Sequence, residues 1–346
     1  MAEAVSRAPS LAVVIVNYCT ADLTMEAVRS LLPERAAVGP FDVLIVDGKS
    51  PDGSADKLLA HFSKPEWDWV TVLPQDVNGG FGWANNQAML RLLQRSDPPE
   101  FIHLLNPDCA VAPGAVRALL DVMAANPKVG AVGSQLLEPD GRLSGSAFRF
   151  PSPGREFVRG SGLPKLGRLL GIAPMLVERD APGPADWVTG ASVMFRSEAL
   201  HRTGLFDDGF FLYFEEVELQ HRLTRAGWAI WTAPASRVTH IGGAATGVES
   251  GGKVAVKPHP PYRYEARRRF FMRTGGAGGL FAANLGWLAG KLVGMPIALL
   301  RGRKAEVPRE VPMTLRYCFR PRAKDFVPSI PPADEPPGRA PAWMSK

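Results

Sequence analysis

Three carboxylates, Glu215, Glu216 and Glu218, stand directly behind the run Phe210-Phe211-Leu212-Tyr213-Phe214. From Glu215 onward the pattern is helical, with apolar Val217, Leu219 and Leu223, and with Gly227 placed to end the last turn. The acids therefore fall in the first turn of a helix. The helix dipole favours their ionised form there, while mutual repulsion and the apolar residues before them favour protonation. A carboxylate held between these tendencies suits a general base, although an acidic first turn is also an ordinary way to begin a helix.

Other polar residues follow apolar runs. Asn17-Tyr18 comes after Leu11 to Val16, and Asp47 closes Asp42 to Asp47. An aromatic face and a carboxylate acceptor are what a nucleobase and a ribose need, and each is also common at a strand end. Asn78-Gly79-Gly80-Phe81-Gly82, with Asn85 and Asn86 beyond it, is a glycine-rich turn into a helix, where free backbone N–H groups can meet phosphate. It carries neither the Walker Gly-Lys-Ser/Thr nor the Rossmann spacing. Asn106-Pro107-Asp108 offers one carboxylate in a rigid loop, which fits either an oxygen site for Mg²⁺ or Mn²⁺ or an Asx-Pro turn. His240, after a strand-like run, is by itself the kind of histidine that more often serves structure.

The elements that must position these groups alternate between short apolar runs and helical patterns, as in an α/β domain with a largely parallel sheet. Leu11–Val16, Asp42–Asp47, Val70–Leu73, Phe101–Leu105 and Trp187–Phe195 read as strands. A helix after the first strand would be capped by Thr20 or Asp22, bury Leu23, Val28, Leu31 and Leu32, and end near Pro33. Residues 151–184 are rich in Gly, Pro and Arg and read as an irregular excursion. Ligands of such sheets bind beyond the carboxyl ends of the strands, where Tyr18, Asp47, Asn78 and Asp108 fall.

The chain has 346 residues, 46% hydrophobic and 21% charged, which excludes disorder throughout. Its net charge of +6 is unevenly placed, with Arg263, Arg267, Arg268, Arg269 and Arg273 in one cluster and Arg301, Arg303 and Lys304 in another. That asymmetry points to an anionic partner. Cys19, Cys109 and Cys318 have no CxxC spacing, which fits a reducing compartment and argues against a zinc site. The opening residues lack a secretory pattern, so a cytoplasmic N-terminus is expected. Residues 278–300 are apolar but interrupted by Asn284, Lys291 and Pro296, and read as an amphipathic or re-entrant element at an anionic membrane surface, or else as a glycine-rich core helix pair. The composition divides the chain into a catalytic domain over 1–250, a basic amphipathic helical region over 251–320, and a proline-rich, mobile tail over 321–346.

Taken in order, Val14-Ile15-Val16-Asn17-Tyr18, Ile45-Val46-Asp47, Asn78-Gly79-Gly80-Phe81-Gly82, Leu105-Asn106-Pro107-Asp108, Val188-Thr189-Gly190-Ala191, Phe211 to Glu218, and His240 resemble the family 2 inverting glycosyltransferases. Within them the chain is most similar to the bacterial rhamnosyltransferase-like branch, over about residues 11–243. The Arg267-Arg268-Arg269-Phe270-Phe271 segment also resembles that branch. The resemblance implies a GT-A fold, with a mostly parallel central sheet flanked by helices. It implies Asp108 as the metal-binding acid of the family's DxD motif, Asn106 at the place of the first acid, and His240 as a further metal ligand. It implies Glu216 as the catalytic base, and Tyr18 and Asp47 in the nucleotide-binding region. Two departures stand out: Gly48 occupies a position usually Asn or Asp, and Glu216 and Glu218 replace aspartates.

The residues and the resemblance together give a single-displacement mechanism. Glu216 takes the proton of the acceptor hydroxyl, and a divalent metal on Asp108 and His240 offsets the charge of the departing diphosphate. Asn78, Gly79 and Asn85 join Tyr18, Asp47, Asn106 and Asp108 in donor binding. Glu215, Glu218, Trp187 and Gly190 orient sugar or acceptor. The expected donor is dTDP-rhamnose or a UDP-sugar, and the expected acceptor is a lipid-linked saccharide at the inner face of the cytoplasmic membrane. Two other readings are a catalytically silent nucleotide-binding scaffold and a basic nucleic-acid-binding protein. The latter leaves the acids unexplained and sets them beside a polyanion.

Overall fold

The structure is a computed structural model that describes residues 10–242, 258–300 and 307–344. The expected leader-free start and the Arg301, Arg303 and Lys304 cluster lie outside the described residues, apart from Ser10. In chain order the strands are β1 (Leu11–Asn17), β2 (Asp42–Asp47), β3 (Val70–Pro74), β4 (Phe101–Leu105), β5 (Cys109–Val111), β6 (Val129–Leu137), β7 (Ala147–Phe148), β8 (Gly183–Ala185), β9 (Trp187–Val188), β10 (Ser192–Arg196) and β11 (Ala229–His240). The helices are α1 (Ala21–Ser30), α2 (Leu32–Val38), α3 (Ser54–Phe62), α4 (Phe81–Leu93), α5 (Ala115–Ala125), α6 (Pro153–Ser161), α7 (Pro164–Leu169), α8 (Ser197–Thr203), α9 (Glu215–Arg225), α10 (Pro261–Leu300) and α11 (Glu310–Cys318).

Nine strands form the central sheet in the order β3-β2-β1-β4-β10-β6-β11-β5, with β8 also on β11. β3, β2, β1 and β4 run parallel, in the register Ala12 to Asp42 and Leu11 to Phe101. Their near-continuous Val, Leu and Ile runs match burial on both faces. Val13, Ile15, Val43 and Ile45 face α1, α3 and α5, whereas Ala12, Val14, Leu44 and Val46 face α4, α8 and α9. β10 enters antiparallel between β4 and β6, and β5 closes on β11 antiparallel.

Several sequence expectations are corrected. The Trp187–Phe195 run is two strands: β9 pairs with β7 in a small second sheet, and β10 joins the central one. The break falls at Gly190, where a Cβ would come within 3.2 Å of the Phe81 ring. Pro33 does not end the first helix but starts α2, since a proline is tolerated where the N–H has no helical partner. Leu32 is consequently exposed, and Ala27, Val28 and Leu31 carry the burial. The excursion at 151–184 holds two helices. Ser152 caps α6 by accepting from the Arg155 N–H at 3.3 Å, Pro153 occupies the first turn, and Gly162 at φ 62 ends the helix.

The arginine cluster is not a free basic surface. Arg267 binds Glu156 at 2.7 Å, Arg268 binds Asp325 at 2.5 Å, and Arg269 binds Asp207 at 2.7 Å, with all six residues buried. These pairs hold the first half of α10 to α6, to the tail and to the loop before α9. α10 breaks at Gly276, whose φ of 63 suits glycine. Beyond it, Gly286, Gly290 and Gly294 meet the backbone of Pro153, Phe157 and Ser161 on α6, so that any side chain there would overlap it. This glycine-lined contact fits the core-helix alternative for one face. The other face exposes Phe281, Leu285, Leu292 and Leu299.

The proline-rich tail is not loose. Trp83 Nε1 donates to the Arg339 carbonyl at 2.7 Å, Gly338 N to Gln87 Oε1 at 2.7 Å, and Trp343 Nε1 to the Gly79 carbonyl at 3.2 Å. Arg339 also pairs with buried Asp208 at 2.8 Å. Its proline-rich composition reads as mobile, but these bonds give the tail partners that composition does not reveal.

Candidate active site

The ends of β1 and β2 are locked together. Asn17 Nδ2 donates to Asp47 Oδ2 at 2.7 Å, and Asn17 Oδ1 accepts from Thr20 and Thr24. Asp47 also accepts from the Ser50 N–H at 2.9 Å and the Ser50 hydroxyl at 2.7 Å. With Asp47 only 1% exposed, its carboxylate shapes the loop behind the expected nucleotide position. Gly48 faces Tyr18 and Asn78: a Cβ there would lie 3.8 Å from Tyr18 Cδ2 and 3.8 Å from Asn78 Oδ1. The glycine that replaces the usual Asn or Asp therefore brings an aromatic ring and an amide near one point at the ends of β1 and β2.

Asn78 Oδ1 accepts from the Gly80 N–H at 3.1 Å, and Gly80, at φ 86, lets the Phe81 N–H reach the Phe211 carbonyl at 3.1 Å. A side chain at Gly79 would collide with Trp83, and one at Gly80 with the Phe211 backbone. The two glycines thus bring the start of α4 against the aromatic segment that leads to the acids. Asn85 is placed differently from its donor-binding expectation. It is 1% exposed, and its Nδ2 donates to the Phe81 carbonyl at 2.9 Å, inside its own helix.

Asp108 sits in the turn between β4 and β5, and His240 ends β11, which pairs with β5 so that His240 stands opposite Cys109. His240 Nε2 lies 3.2 Å from Asp108 Oδ1. Ligand atoms of Asp108, Cys109 and His240 all fall within 4.8 Å of one another. Cys109 is the poor member, because burial pushes its thiol up and its Sγ is directed to the Ala191 carbonyl at 3.4 Å. On the same loop, the buried Asn106 Oδ1 has no hydrogen-bond partner among the described residues. A carboxylate, an imidazole and an orphaned amide oxygen fit a divalent cation that keeps water and phosphate ligands.

Glu215, Glu216 and Glu218 open α9 as the sequence indicates, but their surroundings separate their roles. Tyr213 and Phe214 precede them at φ 73 and φ 68, a left-handed pair costing about 1–3 kcal/mol each. Glu218 is committed to Arg222 at 2.9 Å, and Arg222 in turn binds the carbonyls of Thr203 and Leu205. Glu215 is 3% exposed beside Gly82; burial and then the neighbouring Glu216 push its carboxyl well above the ordinary range. Glu216 is also raised by burial, opposed by backbone N–H groups and by Arg263. It is less enclosed than Glu215 and borders a cavity of about 260 Å³ with Trp187, Tyr213 and Arg263. Gly190 stands next to it, a Cβ there lying 3.8 Å from Glu216 Cβ. Ala191 links this point to the metal loop, since its carbonyl accepts from the Asn106 N–H at 2.8 Å.

Sequence reasoning missed three supports. Gln220 accepts from the Val188 N–H and donates to the Val188 carbonyl, each at 2.8 Å, fixing β9 on α9. Asp207 anchors α10 through Arg269, and Asn86 fixes Phe206 and Asp208. A glutamine one turn beyond Glu216 was the only local signal.

The sequence profile of Glycosyl transferase family 2 matches residues 12–163. The N-acetylglucosaminyl-diphospho-decaprenol L-rhamnosyltransferase of Mycobacterium tuberculosis, in strains CDC 1551 / Oshkosh and ATCC 25618 / H37Rv, is 30% identical over 251 residues, covering 69% of this chain and 78% of that protein. GalNAc-T7, solved with UDP, GalNAc and Mn²⁺, superposes with a TM-score of 0.54 at 15% identity over 92% of this chain, which spans 59% of the length of GalNAc-T7. That likeness bears on the fold. With the ordered motifs on one sheet edge, these matches show that the chain belongs to glycosyl transferase family 2 and is a rhamnosyltransferase-like glycosyltransferase of GT-A fold.

Proposed function

We propose that the protein transfers a sugar, with inversion, from a nucleotide-sugar donor to a hydroxyl of a lipid-linked saccharide. The observation that carries this reading is the position of Glu216 between two differently equipped regions. Gly190 and Ala191 lead from it to the loop of Asp108, and it also lines the cavity that holds Trp187. A single displacement needs a base on the acceptor side and charge compensation on the leaving-group side.

In this reading Tyr18, Gly48 and Asn78 receive the base, while the Gly80 and Phe81 N–H groups, bonded to Asn78 and Phe211, shape the turn into α4 beside them. Asp108 and His240 hold a divalent cation, Mg²⁺ or Mn²⁺, which when bound offsets charge on the departing diphosphate. Asn106 supports that loop. Glu216 removes the acceptor proton. Trp187, stacked on Phe148 with centroids 4.5 Å apart, offers a sugar-sized apolar face. Glu215, raised by burial and by the neighbouring Glu216, is the protonated member of the two, and Glu218 braces the helix. The donor sugar is taken to be L-rhamnose, by likeness to the mycobacterial rhamnosyltransferase, whose name also supports an acceptor on a polyprenyl diphosphate; the dTDP carrier follows from the family resemblance.

The enzyme is placed at the inner face of the cytoplasmic membrane, as a peripheral protein. Support comes from the apolar stripe Phe281, Leu285, Leu292 and Leu299 on α10, joined by exposed Leu169 on α7. Helix α10 is long and apolar enough to cross a membrane by length and composition, yet its Gly286, Gly290 and Gly294 face is occupied by α6.

Calorimetry of dTDP and UDP binding, with and without Mn²⁺, tests the donor side. Metal-dependent binding of one nucleotide, weakened at least tenfold in Asp108→Ala, is expected. Binding of neither, or equal binding by the variant, would overturn the donor assignment.

A further inference from the structure

Beside Glu216 the cavity of about 260 Å³ is walled by α6, β9 and the first turns of α10. None of Tyr18, Asp47, Asn78, Asp108 or His240 lines it. Glu216 is part of its lining, and Trp187 stacked on Phe148 gives it an apolar face. Its polar wall holds cations of two kinds. Arg159 and Arg267 are committed: Arg159 binds Glu156 at 2.8 Å and Glu310 at 2.9 Å, and Arg267 binds Glu156 at 2.7 Å. Arg263 makes no ion pair among the described residues and is held instead over the Tyr213 ring, 4.8 Å from its centroid. Tyr213 is itself stacked on Tyr262, so the guanidinium is aimed by a rigid aromatic pair.

Next to it Tyr264 is 95% buried, at 5% exposure, yet its hydroxyl has no hydrogen-bond partner among the described residues. A buried donor left unmade costs about 1–3 kcal/mol, so its persistence in a cavity wall points to a ligand oxygen. A guanidinium without an ion pair among the described residues and a hydroxyl without a hydrogen-bond partner, both in the lining of one cavity, are the kinds of donor a phosphate takes. Of the carboxylates in the lining, Glu156 and Glu310 are already paired with Arg159, Arg267 and Lys291, which leaves Glu216 as the one whose charge Arg263 also balances.

We propose that Arg263 and the Tyr264 hydroxyl bind a phosphate oxygen of the lipid-linked acceptor in this cavity, and so hold the acceptor sugar's hydroxyl at Glu216. The proposal rests on the transferase reading above and adds to it the acceptor's anionic handle. Specificity follows directly. A saccharide without the phosphate has the Trp187 face and the base but no anchor, whereas a phosphate-linked one is fixed at both ends. The lipid then leaves along the α6 and α10 wall, whose outer side carries Phe281 and Leu285.

The test compares two acceptors, N-acetylglucosaminyl-diphospho-polyprenol and an alkyl glycoside of N-acetylglucosamine that lacks phosphate. Steady-state kinetics are run on the full chain with dTDP-rhamnose and Mn²⁺. In Arg263→Ala the preference for the diphosphate acceptor, as a ratio of kcat/KM values, falls about tenfold or more, through KM for that acceptor. Arg263→Lys recovers part of it, and Tyr264→Phe loses about threefold. An equal loss on both acceptors would overturn the proposal and leave Arg263 acting on Glu216 alone. A rise in KM for the donor instead would move the phosphate to the donor. Wild type inactive on both acceptors would overturn the transferase reading itself, and this proposal with it.

Discussion

Gln220 grips Val188 at both polar atoms of its backbone, with an acceptor and a donor contact of 2.8 Å each, and thereby ties the helix of Glu216 to the strand of Trp187. The two residues proposed to face one acceptor are thus mounted on elements bonded to each other. Gln220→Ala removes both bonds and leaves two buried backbone groups unpaired, at a cost of about 2–4 kcal/mol. Thermal unfolding should show that loss. Acceptor KM should rise more than donor KM, because the displaced face is the acceptor's; a rise confined to donor KM would contradict the arrangement.

The Arg269 to Asp207 pair gives a prediction about the basic cluster. Both residues are buried, and if Arg269 is lost Asp207 keeps, among the described residues, one cation, Arg273 at 3.5 Å, and the Gly209 N–H at 2.9 Å. Arg269→Met should therefore destabilise the fold by about 3–5 kcal/mol in a denaturant titration. A variant of wild-type stability that merely left anionic vesicles would restore the surface role the sequence implied.

Two carboxylates make opposite predictions in acid. Burial raises Glu216 above its ordinary range, and the base must be ionised, so the acidic limb of kcat/KM should lie above pH 4.5. Arg263 opposes the shift, so Arg263→Ala should move that limb further up. Burial also pushes Glu156 up, but the charges and hydrogen bonds of Arg267 and Arg159 outweigh it and hold the carboxyl at about 2. Its folded value lies below its unfolded one. The stability it gives is complete above about pH 4.5 and is lost as pH falls toward 2. Acid unfolding monitored by circular dichroism should show this contribution disappear in Glu156→Gln; an unchanged acid limb of stability would contradict it.

Much of this site was legible in the residues, for physical reasons that also mark the limit. β1, β2, β3 and β4 are apolar runs buried on both faces, so their positions and the polar groups after them follow from hydropathy. The start of α9 follows from three acids ahead of a helical apolar pattern. What composition could not show was pairing across distance. Arg267, Arg268 and Arg269 read as a surface patch because their partners Glu156, Asp325 and Asp207 lie far away in the chain. Helices α6 and α7 were hidden by the prolines that begin them. Asn85 and Asp47 were visible as polar residues near the site, but only coordinates show their side chains turned to Phe81 and to Asn17 and Ser50.

The central claim is that Glu216 is the base of a sugar transfer. The direct measurement is transfer from dTDP-rhamnose to N-acetylglucosaminyl-diphospho-polyprenol by wild type and Glu216→Gln, with dTDP binding to both followed by calorimetry. The account predicts that the variant binds dTDP within about twofold of wild type while kcat falls about 10²–10⁴-fold. Transfer by Glu216→Gln at a rate near that of wild type would contradict it.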